Sequence, residues 1–124
     1  MMLQTRNPQH LLAQSQIIHS TAAVESSITR LSQEISTVLV EACPVVICVM
    51  GGGIVFAGQL LTQLSFPLEI DYVHASRYAN ETSGSALVWK ALPKSDLTGR
   101  TVLLVDDILD EGITLLEIKQ KCLA

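Results

Sequence analysis

Aromatic side chains are scarce: the chain holds one Trp, two Tyr and two Phe in 124 residues. A core has to be assembled mainly from Leu, Ile, Val and Ala. Charge is scarce as well, at 16% Asp, Glu, Lys and Arg, and the mean hydropathy is +0.39. Those values exclude a self-repelling disordered chain and argue for a compact fold. Basic clusters are missing. With a net charge of −4 and no run of Lys or Arg, the chain has no electrostatic footprint for nucleic acid. Cys43, Cys48 and Cys122 are odd in number and lack the paired spacing of a zinc site, so they read as ordinary thiols in a reducing compartment. His10, His19 and His74 are scattered, with no ligand-like spacing between them.

No charged residue occurs between Glu41 and Glu69, a run long enough on length alone to span a membrane. Gly51, Gly52 and Gly53 split it, Gln59 and Gln63 recur at helical spacing in its second half, and no Lys or Arg flanks it. It reads instead as a buried strand, a glycine turn and a packed helix. Arg6 and Pro8 precede any long apolar run, which is not the pattern of a secretory signal, so a cytoplasmic protein is expected.

The length suits one domain over residues 1–124, with residues 1–20 as an N-terminal arm or short helix in which Leu11, Leu12, Ile17 and Ile18 pack. From Ala22, the apolar positions Val24, Ile28, Leu31, Ile35 and Val38 recur every three or four residues, which predicts an amphipathic helix capped by Thr21. After Pro44, Val45 to Met50 predicts a buried strand, and Ile54 to Leu64 a helix beyond the glycines. Leu68 to Ala75 reads as a further strand, Ser76 to Ser85 as an exposed polar loop, and Ala86 to Ala91 as a returning strand, so that the pair forms a lid. Pro93 to Gly99 turns the chain, and Leu115 to Leu123 begins a last helix.

The most informative stretch runs from Thr101 to Thr114. Val102 to Val105 is a continuous apolar run, as in a parallel strand covered on both faces, and it leads directly into Asp106, Asp107, Asp110 and Glu111. These acids sit at the carboxyl end of the strand, where open α/β sheets bind ligands. Gly112 permits a tight turn and Thr114 can cap the following helix, so an anion can rest on free amides at a helix N-terminus.

Val105 to Thr114 resembles the phosphoribosyl pyrophosphate (PRPP) motif of type I phosphoribosyltransferases, and the hypoxanthine-guanine branch fits best. Val49-Met50-Gly51-Gly52-Gly53 resembles the pyrophosphate loop of that branch, and Ser76-Arg77-Tyr78 the start of its mobile catalytic loop. The resemblance runs from about Thr21 to the end of the chain. It implies an α/β fold with an open, mostly parallel sheet and helices on both faces, here without its C-terminal part. It implies Mg²⁺, PRPP and a purine base as reaction partners, with no nucleic acid or membrane, and a homodimer or homotetramer.

The resemblance also distributes roles. Asp106 and Asp107 take the ribose hydroxyls or hold Mg²⁺ through water, which suits a cation that prefers carboxylate and water oxygens. Asp110 becomes the general base at the purine ring, and Asp110 to Thr114 surround the ribose and 5′-phosphate, held mostly by backbone amides. Gly51, Gly52 and Arg77 hold pyrophosphate, and Ser76, Arg77 and Tyr78 open the lid. Three positions depart from the family pattern. Glu111 stands where a hydroxyl or small donor is usual, Gly51 where many members carry Lys, and Arg77 where relatives often have Ser. The later strand that would carry a purine-contacting Lys and a stacking aromatic is not in these residues. Two other readings remain: a non-catalytic PRPP-binding regulator on the same fold, and a phospho-acceptor receiver domain suggested by Val105-Asp106-Asp107.

Overall fold

The computed structural model describes residues 7–80 and 84–124. Its elements follow one another as α1 (Pro8–Gln14), α2 (Thr21–Leu39), β1 (Val45–Met50), α3 (Gly53–Leu61), β2 (Glu69–Asn80), β3 (Gly84–Ala91), β4 (Val102–Val105) and α4 (Ile113–Leu123). The four strands form one sheet in the order β3-β2-β1-β4, with β2 and β4 both parallel to β1 and β3 antiparallel to β2. The expected α/β architecture, mostly parallel and covered on both faces, is therefore present.

Central β1 explains most of the core. Its side chains alternate between the two faces, so a strand flanked on both edges and covered on both faces must be apolar at every position. Val46 and Cys48 face α2 and α3, joining Ile28, Ala57, Leu60, Leu64 and Val105. Val45, Ile47 and Val49 face the other side, with Val73 and the fully buried Ile118 of α4. The motif strand β4 differs from expectation. It lies at the sheet edge, so only Val105 is buried, while Val102, Leu103 and Leu104 are half-buried.

Two further expectations change. Leu12, Ile17 and Ile18 are 74–84% exposed, so the N-terminal segment does not pack its apolar residues; α1, started by Asn7 and Pro8, buries none of its side chains. Helix α2 is capped by Ser20, which accepts the Ala23 amide at 3.1 Å, and Thr21 is already helical. Of the expected stripe, Ile28 is buried and Ile35 packs against the core, but Val24 and Val38 face outward.

Strand β2 changes partner midway. Glu69 to His74 pair with β1, and beyond His74 the strand pairs only with β3, so the β2–β3 ribbon continues past the last residue of β1. Ser76, Arg77 and Tyr78 thus lie in a strand rather than in a loop. Residues 81–83, within the expected loop, and the side chain of Tyr78 lie outside the described residues. Asp71, 7% exposed, braces the start of this strand: its carboxylate accepts the amides of Tyr72 (2.7 Å), Lys94 (2.8 Å) and Ser95 (2.7 Å), tying β2 to the connection before β4.

Candidate functional site

Because β1 and β4 are parallel neighbours, their carboxyl ends lie side by side, and the glycine loop meets the acidic loop there. Each glycine has its own reason. A Cβ on Gly52 would stand 2.7 Å from both carboxylate oxygens of Asp107, and one on Gly53 would stand 3.0 Å from the Val105 carbonyl and 3.3 Å from the Asp106 Cα. Close approach, not a left-handed backbone, is what demands glycine at these two positions. Gly51 meets nothing within 4 Å. The Met50–Gly51 peptide is cis, and Gly52 precedes α3 without a side-chain cap.

Beyond β4, Asp106 is half-buried and its Oδ1 accepts the Asp107 amide at 2.8 Å. Burial pushes its carboxyl above the usual carboxylate range; the amide bond opposes this, and the Asp107 carboxyl beside it adds to the rise. Ile108, Leu109, Asp110 and Glu111 are exposed. Gly112 has φ +80° and ψ 3°, a left-handed conformation that costs other L-residues roughly 1–2 kcal/mol. That turn sets the start of α4 at Ile113, two residues before the expected Leu115. Thr114 is therefore inside the first turn and is not the cap. No side chain caps α4, and its first amides are available to an anion.

Asp106, Ile108 to Leu115 and Arg77 enclose a cavity of about 420 Å³, within the size range of small-ligand sites. Asp107 faces elsewhere. With Gly52 it borders a groove of about 610 Å³ floored by α2 and α3 side chains such as Ile28, Val55 and Phe56. The two adjacent acids thus face separate cavities. Arg77 lies on the side of the 106–115 loop, away from the groove at Gly52: its Nε donates to Thr114 Oγ1 at 3.0 Å and its Nη2 to Glu117 Oε1 at 3.0 Å.

Glu117 had not been singled out, although it follows Thr114 by three residues and so shares its helix face. Asp71 was also missed, because an acid inside a half-apolar strand carries no sign of the three amides waiting for it. Among the described residues, no three His, Cys, Asp or Glu side chains gather as a metal cage, and no helix is long and apolar enough to cross a membrane.

The family model for the phosphoribosyl transferase domain matches residues 14–123. The hypoxanthine-guanine-xanthine phosphoribosyltransferase of Tritrichomonas foetus is 33% identical over 103 residues, covering 82% of this chain and 56% of that protein. The hypoxanthine-guanine phosphoribosyltransferase of Bacillus subtilis is 30% identical over 101 residues, covering 80% and 56%. The solved structure of a hypoxanthine-guanine phosphoribosyltransferase from Bacillus anthracis superposes with a TM-score of 0.78 at 29% identity, over 86% of this chain and 64% of that one. The chain spans 56% of the length of these two curated relatives. With a family model matching over nearly its whole length and a sheet that superposes on such a solved structure, the chain belongs to the phosphoribosyl transferase domain family.

Proposed function

We propose that the protein works in purine salvage, transferring the 5-phosphoribosyl group of PRPP to hypoxanthine or guanine with release of pyrophosphate, to give IMP or GMP. The observation that carries this reading is the packing of Gly52 against the Asp107 carboxylate beside a helix N-terminus opened by left-handed Gly112. Three groups of PRPP then have partners at one end of the sheet. The 5′-phosphate takes the amides of Glu111, Gly112, Ile113 and Thr114, together with the Thr114 hydroxyl. The ribose hydroxyls lie against Asp106 and Asp107, and the pyrophosphate takes the amides of Gly51 and Gly52. Asp110, exposed on the cavity rim, accepts the proton that the purine nitrogen loses.

The donor set fits Mg²⁺. Asp106 and Asp107, adjacent in the chain but turned to separate cavities, with no group of three candidate ligands among the described residues, suit an ion that keeps most of its waters and binds through one or two carboxylates plus substrate phosphates. When bound, the ion supplies positive charge to the donor's phosphates. In this reading the β2–β3 ribbon carrying Ser76, Arg77 and Tyr78 serves as the lid that excludes water from a donor that is otherwise hydrolysed. The reading extends to a cytoplasmic protein that assembles as a homodimer or homotetramer.

The test is product formation. A protein extended to the length of its relatives, given PRPP, Mg²⁺ and hypoxanthine or guanine, is expected to form IMP or GMP and pyrophosphate. The 124-residue chain alone is expected to form none, since the purine-holding strand implied by the resemblance is not among its residues. No transfer by the extended protein with either base overturns the reading. Equal activity in both places the purine site within the present chain.

A further inference from the structure

Strand β2 and helix α4 touch the phosphate loop through one small cluster. Arg77, with 26% of its side chain exposed, reaches across to Thr114 and Glu117, which stand three residues apart on one face of α4. The direction of these bonds is not a choice. A guanidinium carries only donors, so Thr114 Oγ1 must accept from Arg77 Nε, and the single hydroxyl proton of Thr114 points elsewhere.

Other helical hydroxyls in this chain give that proton to the carbonyl four residues back: Ser27 to Ala23, Ser36 to Ser32 and Thr37 to Gln33. That habit takes the donor away from any ligand. Thr114 sits in the first turn of α4, where the residue four back, Asp110, is outside the helix. Thr114 also lines the cavity of about 420 Å³ at the helix N-terminus.

We propose that Arg77 is a positioning residue for the phosphate site: held by Glu117, it occupies an acceptor lone pair of Thr114 and turns the hydroxyl of that residue into a dedicated donor for a substrate phosphate. The proposal rests on the reading of residues 106–114 as a phosphate-binding loop. Arg77 acts here through orientation more than through net charge, because its charge is matched by Glu117 at 3.0 Å. It also links the lid ribbon to the phosphate loop, so that the ribbon sets the donor on which the loop relies.

A double-mutant cycle on the 124-residue chain separates this from a direct contact. Affinity for ribose 5-phosphate is measured by NMR titration, with ribose as the unphosphorylated comparison and melting temperature as the check on folding. Arg77→Ala is expected to weaken ribose 5-phosphate binding about tenfold, a loss of roughly one hydrogen bond to an anion, and Thr114→Val by a similar factor. In the Thr114→Val background, Arg77→Ala should add nothing. Glu117→Gln, which keeps the shape of the side chain, should weaken binding several-fold with Thr114 present and leave it unchanged with Val there. Additive losses, or tighter binding by Glu117→Gln as expected for a cation freed to meet the anion, overturn the role given to Arg77. A wild-type chain that does not distinguish ribose 5-phosphate from ribose overturns the phosphate reading itself, and the proposal with it.

Discussion

The two loops at the carboxyl end of the sheet solve opposite problems. At the glycine loop the backbone is pressed against its neighbour: Gly52 lies under the Asp107 carboxylate and Gly53 against the Val105 carbonyl, so side chains are excluded by space. At the phosphate loop the residues from Ile108 to Glu111 are exposed, and glycine is required at 112 by its left-handed backbone, with the nearest side-chain atom at 3.5 Å. Gly53, buried at the start of α3, ties the first loop to the core, whereas Gly51 and Gly52 are exposed, and the second loop is an open frame held at its ends. Substitution at Gly53 should therefore register in melting temperature, and substitutions at Gly52 and in the second loop in ligand binding and turnover.

Asp110→Asn should show the separation most strongly. In a protein of the length of its relatives, turnover is expected to fall by about 10² to 10⁴, the range for a general base, with melting unchanged. Unchanged turnover moves the base elsewhere. Gly53→Ala should do the reverse, costing about 1–3 kcal/mol of stability, because its Cβ meets backbone that cannot step aside. Gly52→Ala meets only a carboxylate end that can swing toward water, so its cost in denaturant melts should be smaller while PRPP affinity falls. Equal destabilisation by the two would erase the distinction drawn between them.

Asp71 extends the comparison to a carboxylate far from both loops. Burial alone would raise its pKa, but the amides of Ser95, Tyr72 and Lys94 outweigh burial and hold it below the usual carboxylate value. A depressed pKa contributes stability that is fully present above the unfolded value of about 3.9 and is lost as pH falls through the folded value. Melting temperature should drop in that acid window, and Asp71→Asn should flatten the drop while lowering stability at neutral pH. An identical acid profile in the variant would remove Asp71 from the account. The smallest effect belongs to Glu111→Thr, which removes a like charge beside the phosphate and adds a donor. Its expected gain in PRPP affinity is tenfold or less, about 1.4 kcal/mol, since the exposed loop is screened. Weaker binding would mean that Glu111 makes a structural contact.

Much of this was legible in the chain itself. An uninterrupted apolar run between Pro44 and Gly51 reads as a buried strand, and β1 has those bounds. Acids following a short apolar run marked the carboxyl end of a strand, and β4 ends at Val105 directly before them. What periodicity could not show was pairing. Ser76 to Asn80 look like a loop, yet β3 pairs with them residue for residue, and that partner lies further along the chain. The position of β4 at an edge is likewise a property of the sheet and not of Val102 to Val105. Thr114 resembled a cap because capping is read from residue type, whereas the left-handed turn at Gly112 decides where α4 begins. The link from Arg77 to Thr114 and Glu117 joins residues about forty positions apart and needed the fold to become visible.

The central claim is that Asp106, Asp107 and the two loops form a PRPP site that works with Mg²⁺. Titration calorimetry of PRPP into the 124-residue chain, with Mg²⁺ and again with a chelator, addresses it most directly. The expected result is weak but measurable binding with Mg²⁺ that disappears in the chelator, because two carboxylates facing a highly charged donor need a cation between them. Equal affinity in both conditions would contradict the role given to the acid pair.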